Sequence, residues 1–144
     1  RRSSDLVDIK GVGLYSLGRY KKQLSAEELE KYHALFKEYF LKSFTSRLAD
    51  YSDPKIEVLS AEVLNSKYTM VKSLLLATEQ KPEVKIDWRV YTKDPTNPLI
   101  RDLIIEGLSL AKTQKAEFSS IIESNNNDIN KLFSELNDFV NKNN

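Results

Sequence analysis

The sequence predicts an α+β fold in which helices cover one face of a four-stranded antiparallel sheet. Three observations support this prediction. Helical periodicity occupies both ends of the chain, apolar–polar alternation occupies its middle, and short turns join the middle segments. A chain of 144 residues forms a single domain, 1–144, because a second domain would leave both short of a hydrophobic core.

A first helix is predicted from Asp5 to Lys22, where apolar residues recur at helical spacing. Gly11 and Gly13 each weaken this helix by roughly 1 kcal/mol. Together with Gly18 they do not form a phosphate-binding loop, because the GxGxxG spacing and a preceding strand are both missing.

The second helix has the clearest pattern in the chain. Ser25 and Glu28 form a capping box at its start, and Pro54 ends it because proline disfavours helix in the residue before it. The i,i+4 pairs Glu27–Lys31 and Glu38–Lys42 support it from outside. Its apolar stripe consists of Leu29, Tyr32, Phe36, Tyr39, Phe40, Phe44, Leu48 and Tyr51. We interpret these aromatic residues as core, with the lining of a cavity as the alternative.

Four strands are predicted in the middle of the chain, at Lys55–Leu64, Lys67–Thr78, Val84–Tyr91 and Leu99–Glu106. In the third, one face carries Val84, Ile86, Trp88 and Val90, and the other carries Lys85, Asp87, Arg89 and Tyr91. The second strand is partly apolar on both faces, so its register stays open. The short connections make neighbouring strands antiparallel, since a parallel pair needs a longer crossover.

Two helices are predicted after the strands. Gly107 closes the last strand, and a helix then runs from Leu108 to Glu123. The polar break 124–128 offers N-cap oxygens for a last amphipathic helix, which runs from Ile129 to Val140. The residues 141–144 are expected to be a frayed tail.

Composition excludes several classes of site. Lys and Arg number 22 and Asp and Glu number 21, giving a net charge of +1, whereas a general nucleic-acid binder carries a clear basic excess. The chain has no cysteine, so disulfides and thiol chemistry are excluded. His33 is the single histidine, so a metal site built from several histidines is excluded too, and we interpret it as a packed or solvated side chain. No apolar run approaches the roughly 18 residues of a membrane span.

Several segments resemble the MlaC family, the periplasmic phospholipid-binding components of the Mla pathway, also described as toluene-tolerance auxiliary proteins. The similar segments are Leu17–Tyr20, Ser25–Glu28, Phe36–Tyr39, Ser46–Leu48, Tyr51–Ser52, Val84–Arg89, Asp102–Leu110 and Phe118. Asp102–Leu110 resembles the family signature DVVVEGVSL. Pro98, Arg101 and Gln114 stand where the family often has aromatic residues. The family's N-terminal helix and signal peptide are largely missing, so we expect a trimmed mature form.

The resemblance implies a curved sheet whose concave face and helices enclose an apolar pocket, a cone of the nuclear-transport-factor type. It implies a periplasmic carrier that shuttles phospholipid between the membranes of a Gram-negative envelope and so maintains outer-membrane lipid asymmetry. It implies phospholipid as ligand, with no catalysis, metal or cofactor. The implied partners are an inner-membrane ABC transporter with an MCE subunit and an outer-membrane lipoprotein–porin complex.

Ten residues are predicted to line the pocket, and about half of them are expected to be plain core. The sheet supplies Ile86, Trp88, Val90, Leu103 and Ile105, and the helices supply Leu17, Tyr20, Phe36, Phe40 and Phe118.

Two other functional classes stay open. An isomerase or dehydratase on a cone-shaped fold needs a carboxylate or histidine in its cavity. Asp87 is the nearest candidate, but alternation puts it on the face opposite Trp88, and His33 would have to act alone. A lipid-free adaptor would bind protein partners through the sheet or an exposed helix. The basic group Arg19, Lys21 and Lys22 is a candidate docking surface, with plain solvated surface as the alternative.

Overall fold

The structure, a computed structural model, describes residues 6–49 and 53–142. The predicted helix start at Asp5, the stripe end at Tyr51, the turn residue Ser52 and the tail residues 143–144 lie outside these ranges. The chain forms two compact units. We call residues 1–8 and 48–111 the sheet unit, and residues 9–47 and 112–144 the helical unit.

The sheet unit contains a five-stranded antiparallel sheet in the order β1-β2-β3-β4-β5. Its strands are β1 Ile56–Val63, β2 Tyr68–Leu75, β3 Val84–Tyr91, β4 Leu99–Ile105 and β5 Leu108–Ser109. The α+β class and the antiparallel meander are therefore confirmed. A curved sheet with the helices on its concave face and an enclosed pocket stays a prediction.

The prediction of four strands was wrong, because β5 follows β4 through a two-residue turn. Glu106 and Gly107 have φ angles of 51° and 84°, as a type I′ hairpin turn requires. The chain therefore reverses and forms two residues of strand before the helix begins at Leu110 rather than at Leu108. So short a strand has no periodicity that could distinguish it from the first turn of a helix.

The helical unit contains nearly all residues of four α-helices. They are α1 Ile9–Leu17, α2 Ala26–Leu48, α3 Leu110–Glu123 and α4 Ile129–Asn141. The single first helix predicted to reach Lys22 was wrong. Gly18 has a φ of 54°, which ends α1, and residues Gly18–Gln23 form a 3-10 helix instead. None of the helices in the described ranges is long and apolar enough to cross a bilayer.

The predicted helix signals are largely confirmed. Ser25 N donates to Glu28 Oε1 at 3.0 Å, and Glu28 N donates to Ser25 Oγ at 3.1 Å, so the capping box is formed. Asp128 caps α4 by accepting from Asn130 N at 3.0 Å. The Glu27–Lys31 pair is present at 3.8 Å. Lys42, predicted to pair with Glu38, instead donates to the carbonyl of Val140 at 2.9 Å, because the last carbonyls of a helix lack partners within it.

Gly13 allows α1 and α2 to approach closely. A Cβ at this position would lie 2.8 Å from Phe36 Cδ2, closer than real contacts allow, and the Tyr32 hydroxyl donates to the Gly13 carbonyl at 2.7 Å. Phe36 packs edge-to-face on Phe118 of α3, with ring centroids 6.1 Å apart. Tyr32 and Phe36 of the α2 aromatic stripe are both 1% exposed, and the choice between core and cavity lining for this stripe stays a prediction.

Candidate functional site

One face of the sheet is apolar along every strand. Because residues directly opposite each other in a ladder point to the same side, the register defines this face. We call it the apolar sheet face, and it comprises Ile56, Val58, Ala61, Val63, Thr69, Val71, Ser73, Leu75, Val84, Ile86, Trp88, Val90, Ile100, Leu103, Ile105 and Leu108.

All five sheet residues predicted to line a pocket lie on the apolar sheet face. Trp88 stands opposite Val71 on β2 and Leu103 on β4, and Ile86 stands opposite Ile105. Val90 remains on this face, although a bulge shifts the β3–β4 register beside it. The assigned alternation of β3 is thus confirmed, while contact of these residues with a lipid stays a prediction.

The polar side-chain atoms at the centre of the apolar sheet face are satisfied within the face. Trp88 Nε1 donates to Ser73 Oγ at 2.8 Å, and Ser73 Oγ donates to the Ile86 carbonyl at 2.7 Å. Ser73 is fully buried, with 0% exposure. The Trp88 and Ser73 side chains have one hydrogen-bond donor each. Both donors are used in this relay, so no unpaired donor faces an apolar ligand.

Sequence reasoning missed Ser73 because the register of β2 could not be assigned. A small hydroxyl residue within an apolar strand was the available signal, since a buried hydroxyl needs a partner. The same register places Val71 and Leu75 on the apolar sheet face beside Ser73.

Exposure changes along the apolar sheet face. Along β2 the face passes from Ser73 and Leu75, which are 0% and 3% exposed, to Val71 and Thr69, which are half-buried. On the neighbouring strands Val84 and Ile105, at the Leu75 end, are half-buried as well. At the Thr69 end the hydroxyls of Thr69 and Thr92 are 2.8 Å apart. The face therefore becomes more polar toward Thr69, while its exposure increases in that direction only along β2.

Strand β1 extends the apolar sheet face to an edge of the sheet. All eight of its residues are exposed, and Val58 and Val63, both on this face, are 65% and 75% exposed. Among the residues that the structure describes, it pairs only with β2, and a bulge interrupts that pairing between Val58 and Ser60.

The opposite face of the sheet is charged and aromatic. The Arg89 guanidinium lies 3.8 Å from the centroid of the Tyr68 ring, and that of Arg101 lies 4.1 Å from the Tyr91 ring. Asp87 stands opposite Lys72 in the β2–β3 ladder. It therefore lies on the face of the sheet opposite Trp88, as alternation predicted. An acid in that position cannot act on a ligand held against the apolar sheet face.

The five predicted helical residues lie in the helical unit. Leu17, Tyr20, Phe36 and Phe118 are buried at 0%, 4%, 1% and 2% exposure. Phe40, which is half-buried, lies 6.0 Å from the Phe36 ring, so Phe36, Phe40 and Phe118 share one aromatic cluster. Whether any of these residues contacts a ligand stays a prediction.

The basic group after α1 is only partly free. Arg19 Nη2 lies 3.5 Å from Glu123 Oε1 and donates to the Tyr20 hydroxyl at 3.0 Å, and the pKa of Arg19 is raised chiefly by this tyrosine contact. Lys21 and Lys22 are exposed on the 3-10 helix.

His33 lies in the helical unit, half-buried beside Tyr32, with ring centroids 5.9 Å apart. Burial lowers its pKa, and Lys10 lowers it further, while Glu30 opposes this. Burial also raises the pKa of the Tyr32 hydroxyl well above its usual range. A mostly neutral imidazole beside an aromatic ring fits the packed role that the sequence indicated.

A groove of about 380 Å³ runs between α2 and α4. It is lined by Glu28, Lys31, Tyr32, Leu35, Asn130, Phe133 and Asn137. Its lining combines Tyr32, Leu35 and Phe133 with charged and amide side chains, and it contains none of the ten predicted lining residues.

The segment that resembles the DVVVEGVSL signature builds the junction between β4 and α3. Asp102 Oδ1 accepts from Leu103 N at 2.8 Å and from Ala111 N at 2.9 Å, and Asp102 Oδ2 accepts from the Ser109 hydroxyl. The carboxylate thus accepts from one backbone N–H in the first turn of α3, that of Ala111, where an anion is favourable. In this segment Asp102 and Ser109 connect the end of the sheet to the start of α3 through their hydrogen bonds.

Comparison with known proteins agrees with this architecture. A phospholipid-binding protein from Ralstonia solanacearum, solved in complex with a phospholipid, superposes with a TM-score of 0.76 at 22% sequence identity, over 94% of this chain and 74% of that one. At this identity the likeness shows the fold. The family model for the MlaC protein matches residues 3–138, and the chain therefore belongs to the MlaC family.

Proposed function

We propose that this protein binds a phospholipid with its acyl chains against the apolar sheet face and carries it through the periplasm between inner- and outer-membrane complexes. Membership of the MlaC family and the phospholipid held by the Ralstonia neighbour both support this proposal. They also favour a binding or transport role over an enzyme.

The observation that carries the proposal is the apolar sheet face with its closed hydrogen-bond relay. An acyl chain offers no hydrogen bonds, so any unpaired donor it covered would cost about 1–3 kcal/mol. The Trp88–Ser73–Ile86 relay removes that cost at the centre of the face.

The free energy available from burial is large. Each CH₂ removed from water contributes about 0.8 kcal/mol, so two tails of about fifteen carbons represent roughly 20 kcal/mol or more of gross burial. A carrier that hides both tails therefore holds its lipid firmly, while the charged headgroup stays hydrated. Release then needs a partner that offers the tails another apolar environment.

The partners proposed are an ABC transporter with an MCE subunit at the inner membrane and a lipoprotein–porin complex at the outer membrane. A shuttle must leave each partner after docking, so its docking contacts should be modest and sensitive to salt. Arg19, Lys21 and Lys22 of the basic group after α1 are all exposed. Arg19 is paired with Glu123, so Lys21 and Lys22 are the proposed contacts.

Native mass spectrometry tests the proposal. Protein expressed in a bacterial envelope and purified without added lipid should carry a mass increment of one phospholipid, and a solvent extract should contain the same lipid. A spectrum of bare protein together with an empty extract would refute lipid binding.

The exposed edge strand β1 favours a second candidate function, a lipid-free adaptor. Strands with a free edge add partner strands through main-chain hydrogen bonds, and β1 exposes all eight residues. An adaptor would purify without stoichiometric diacyl lipid, so the same spectrum distinguishes the two functions.

A further inference from the structure

We propose that a bound phospholipid lies along the strands of the apolar sheet face, with its headgroup at the end that carries Thr69 and Thr92 and its tails directed toward Leu75 and Val84. This inference rests on the proposed function and adds the direction of the lipid on the face. We call the two ends the hydroxyl end, which includes the turns 64–67 and 92–98, and the acidic end, which includes the turns 76–83 and 106–107.

The first argument is the change of polarity along β2 and β3. At the acidic end the face is apolar, with Leu75 at 3% exposure, Val84 half-buried and Ile56 at 46% exposure, and these residues present no side-chain hydroxyl there. At the hydroxyl end Thr69 and Thr92 form a hydroxyl pair at 2.8 Å. Each hydroxyl has one donor and two lone pairs, so the pair shares one hydrogen bond and keeps a second donor for a phosphate or ester oxygen.

The second argument is charge. The turns of the hydroxyl end carry the exposed lysines Lys67 and Lys93, and Asp94 beside them accepts from Thr96 N at 3.1 Å. Lys67 lies directly beside the hydroxyl pair, because Thr92 N donates to its carbonyl at 2.7 Å. A phosphodiester is an anion, and it is attracted to a site flanked by cations.

The acidic end has the opposite character. Its turns expose Glu79, Glu83 and Glu106, while Lys81 is half-buried. These carboxylates would repel a phosphate held against Leu75.

Lys85, exposed beside Glu106 at the acidic end, offsets one of these carboxylates, and further charges near the two ends form ion pairs. At the hydroxyl end Arg101 Nε lies 3.0 Å from Asp8 Oδ2, and at the acidic end Lys55 Nζ lies 3.8 Å from Asp53 Oδ2. These pairs contribute no net charge at either end, so polarity and charge both favour the hydroxyl end for the headgroup.

Trp88 lies closer to the hydroxyl end, and this makes the direction measurable. It stands opposite Val71, two residues from Thr69 and four from Leu75. At a rise of about 3.4 Å per residue, the indole is about 7 Å from the hydroxyl row and about 14 Å from the Leu75 row. A lipid in the proposed direction therefore presents the upper part of its tails to Trp88, and a reversed lipid presents the tail ends.

The test compares two brominated phosphatidylcholines on the whole chain. A hydrocarbon core of about 30 Å gives each tail about 15 Å, so bromine at about carbon 6 and at about carbon 12 lies at clearly different depths. After equal loading, checked by native mass spectrometry, the carbon-6 lipid should reduce Trp88 emission more than the carbon-12 lipid. Stronger quenching by the carbon-12 lipid, or equal quenching, would overturn the direction while leaving lipid binding intact. Failure of both lipids to load would instead refute the proposed function.

A second measurement examines the headgroup contact directly. Replacing both hydroxyls, Thr69→Val with Thr92→Val, preserves shape and should weaken phospholipid retention by roughly 2- to 10-fold, the equivalent of one net hydrogen bond. Thr113→Val, at an exposed position of α3, is the matched control and should retain lipid as the unmodified protein does. Equal retention by the double variant and the control would overturn the assignment of the headgroup to the hydroxyl pair.

Discussion

Removing the Ser73 hydroxyl tests whether the relay at the centre of the apolar sheet face stabilises the fold as a unit. Ser73→Ala deletes the acceptor that lies 2.8 Å from Trp88 Nε1 and the donor that lies 2.7 Å from the Ile86 carbonyl. Ser73 is 0% exposed, so water does not replace the lost partner. A buried donor left without a partner costs about 1–3 kcal/mol, and the free energy of unfolding should fall by that amount.

A double-mutant cycle isolates the contribution of the pair. Trp88→Phe removes the indole donor, so the alanine at position 73 no longer leaves an unpaired N–H, and Ser73→Ala should cost much less in that background. Urea unfolding of delipidated protein, followed by circular dichroism, measures all four proteins without relying on tryptophan or on bound ligand. A coupling energy below about 0.5 kcal/mol, the usual error of additivity, would contradict the relay.

Three further predictions concern lipid retention, transfer and packing. Val90→Glu puts a carboxylate among the acyl chains, where an unpaired charge costs several kcal/mol, so purified protein should lose lipid while remaining folded. Lys85→Glu, exposed on the opposite face, should keep it, and equal retention would mean that the lipid lies elsewhere. Charge reversal of Lys21 and Lys22 should slow transfer to membrane partners at low salt without emptying the protein; unchanged rates at low and high salt would remove this docking surface. Gly13→Ala should lower the midpoint of thermal unfolding. Overpacking against Phe36 at 2.8 Å costs about 1–3 kcal/mol, which exceeds the gain of about 1 kcal/mol in helix propensity. A stabilised variant would contradict the close approach of α1 and α2.

The strand that carries Trp88 was predictable because its alternation is strict. Charged and apolar residues take turns from Val84 to Val90, and this pattern fits only one orientation of the strand. Strand β2 has apolar residues on both faces, with Met70 and Leu74 on one and Val71 and Leu75 on the other. The register of β2 depends on its pairing with β1 and β3, and the hydrophobic periodicity of one strand contains no information on that pairing. The face on which Ser73 lies was therefore not predictable.

Local backbone geometry accounts for the errors at the ends of elements. The positive φ of Gly18 divides the first predicted helix, and apolar spacing alone does not reveal such a break. Glu106 also has a positive φ, which is uncommon for a residue with a side chain, so the two-residue strand β5 was not expected. The capping box at Ser25 was predicted correctly because both of its hydrogen bonds are local in sequence.

Tryptophan quenching tests most directly the central claim that acyl chains lie against the apolar sheet face. Trp88 is the single tryptophan of the chain, and it stands on that face between Ile86 and Val90. Loading with lipid brominated on its acyl chains should quench its emission, whereas unbrominated lipid of the same headgroup should not, and Trp88→Phe should retain lipid without the signal. Stoichiometric binding of the brominated lipid with unchanged emission would show that the tails lie away from this face.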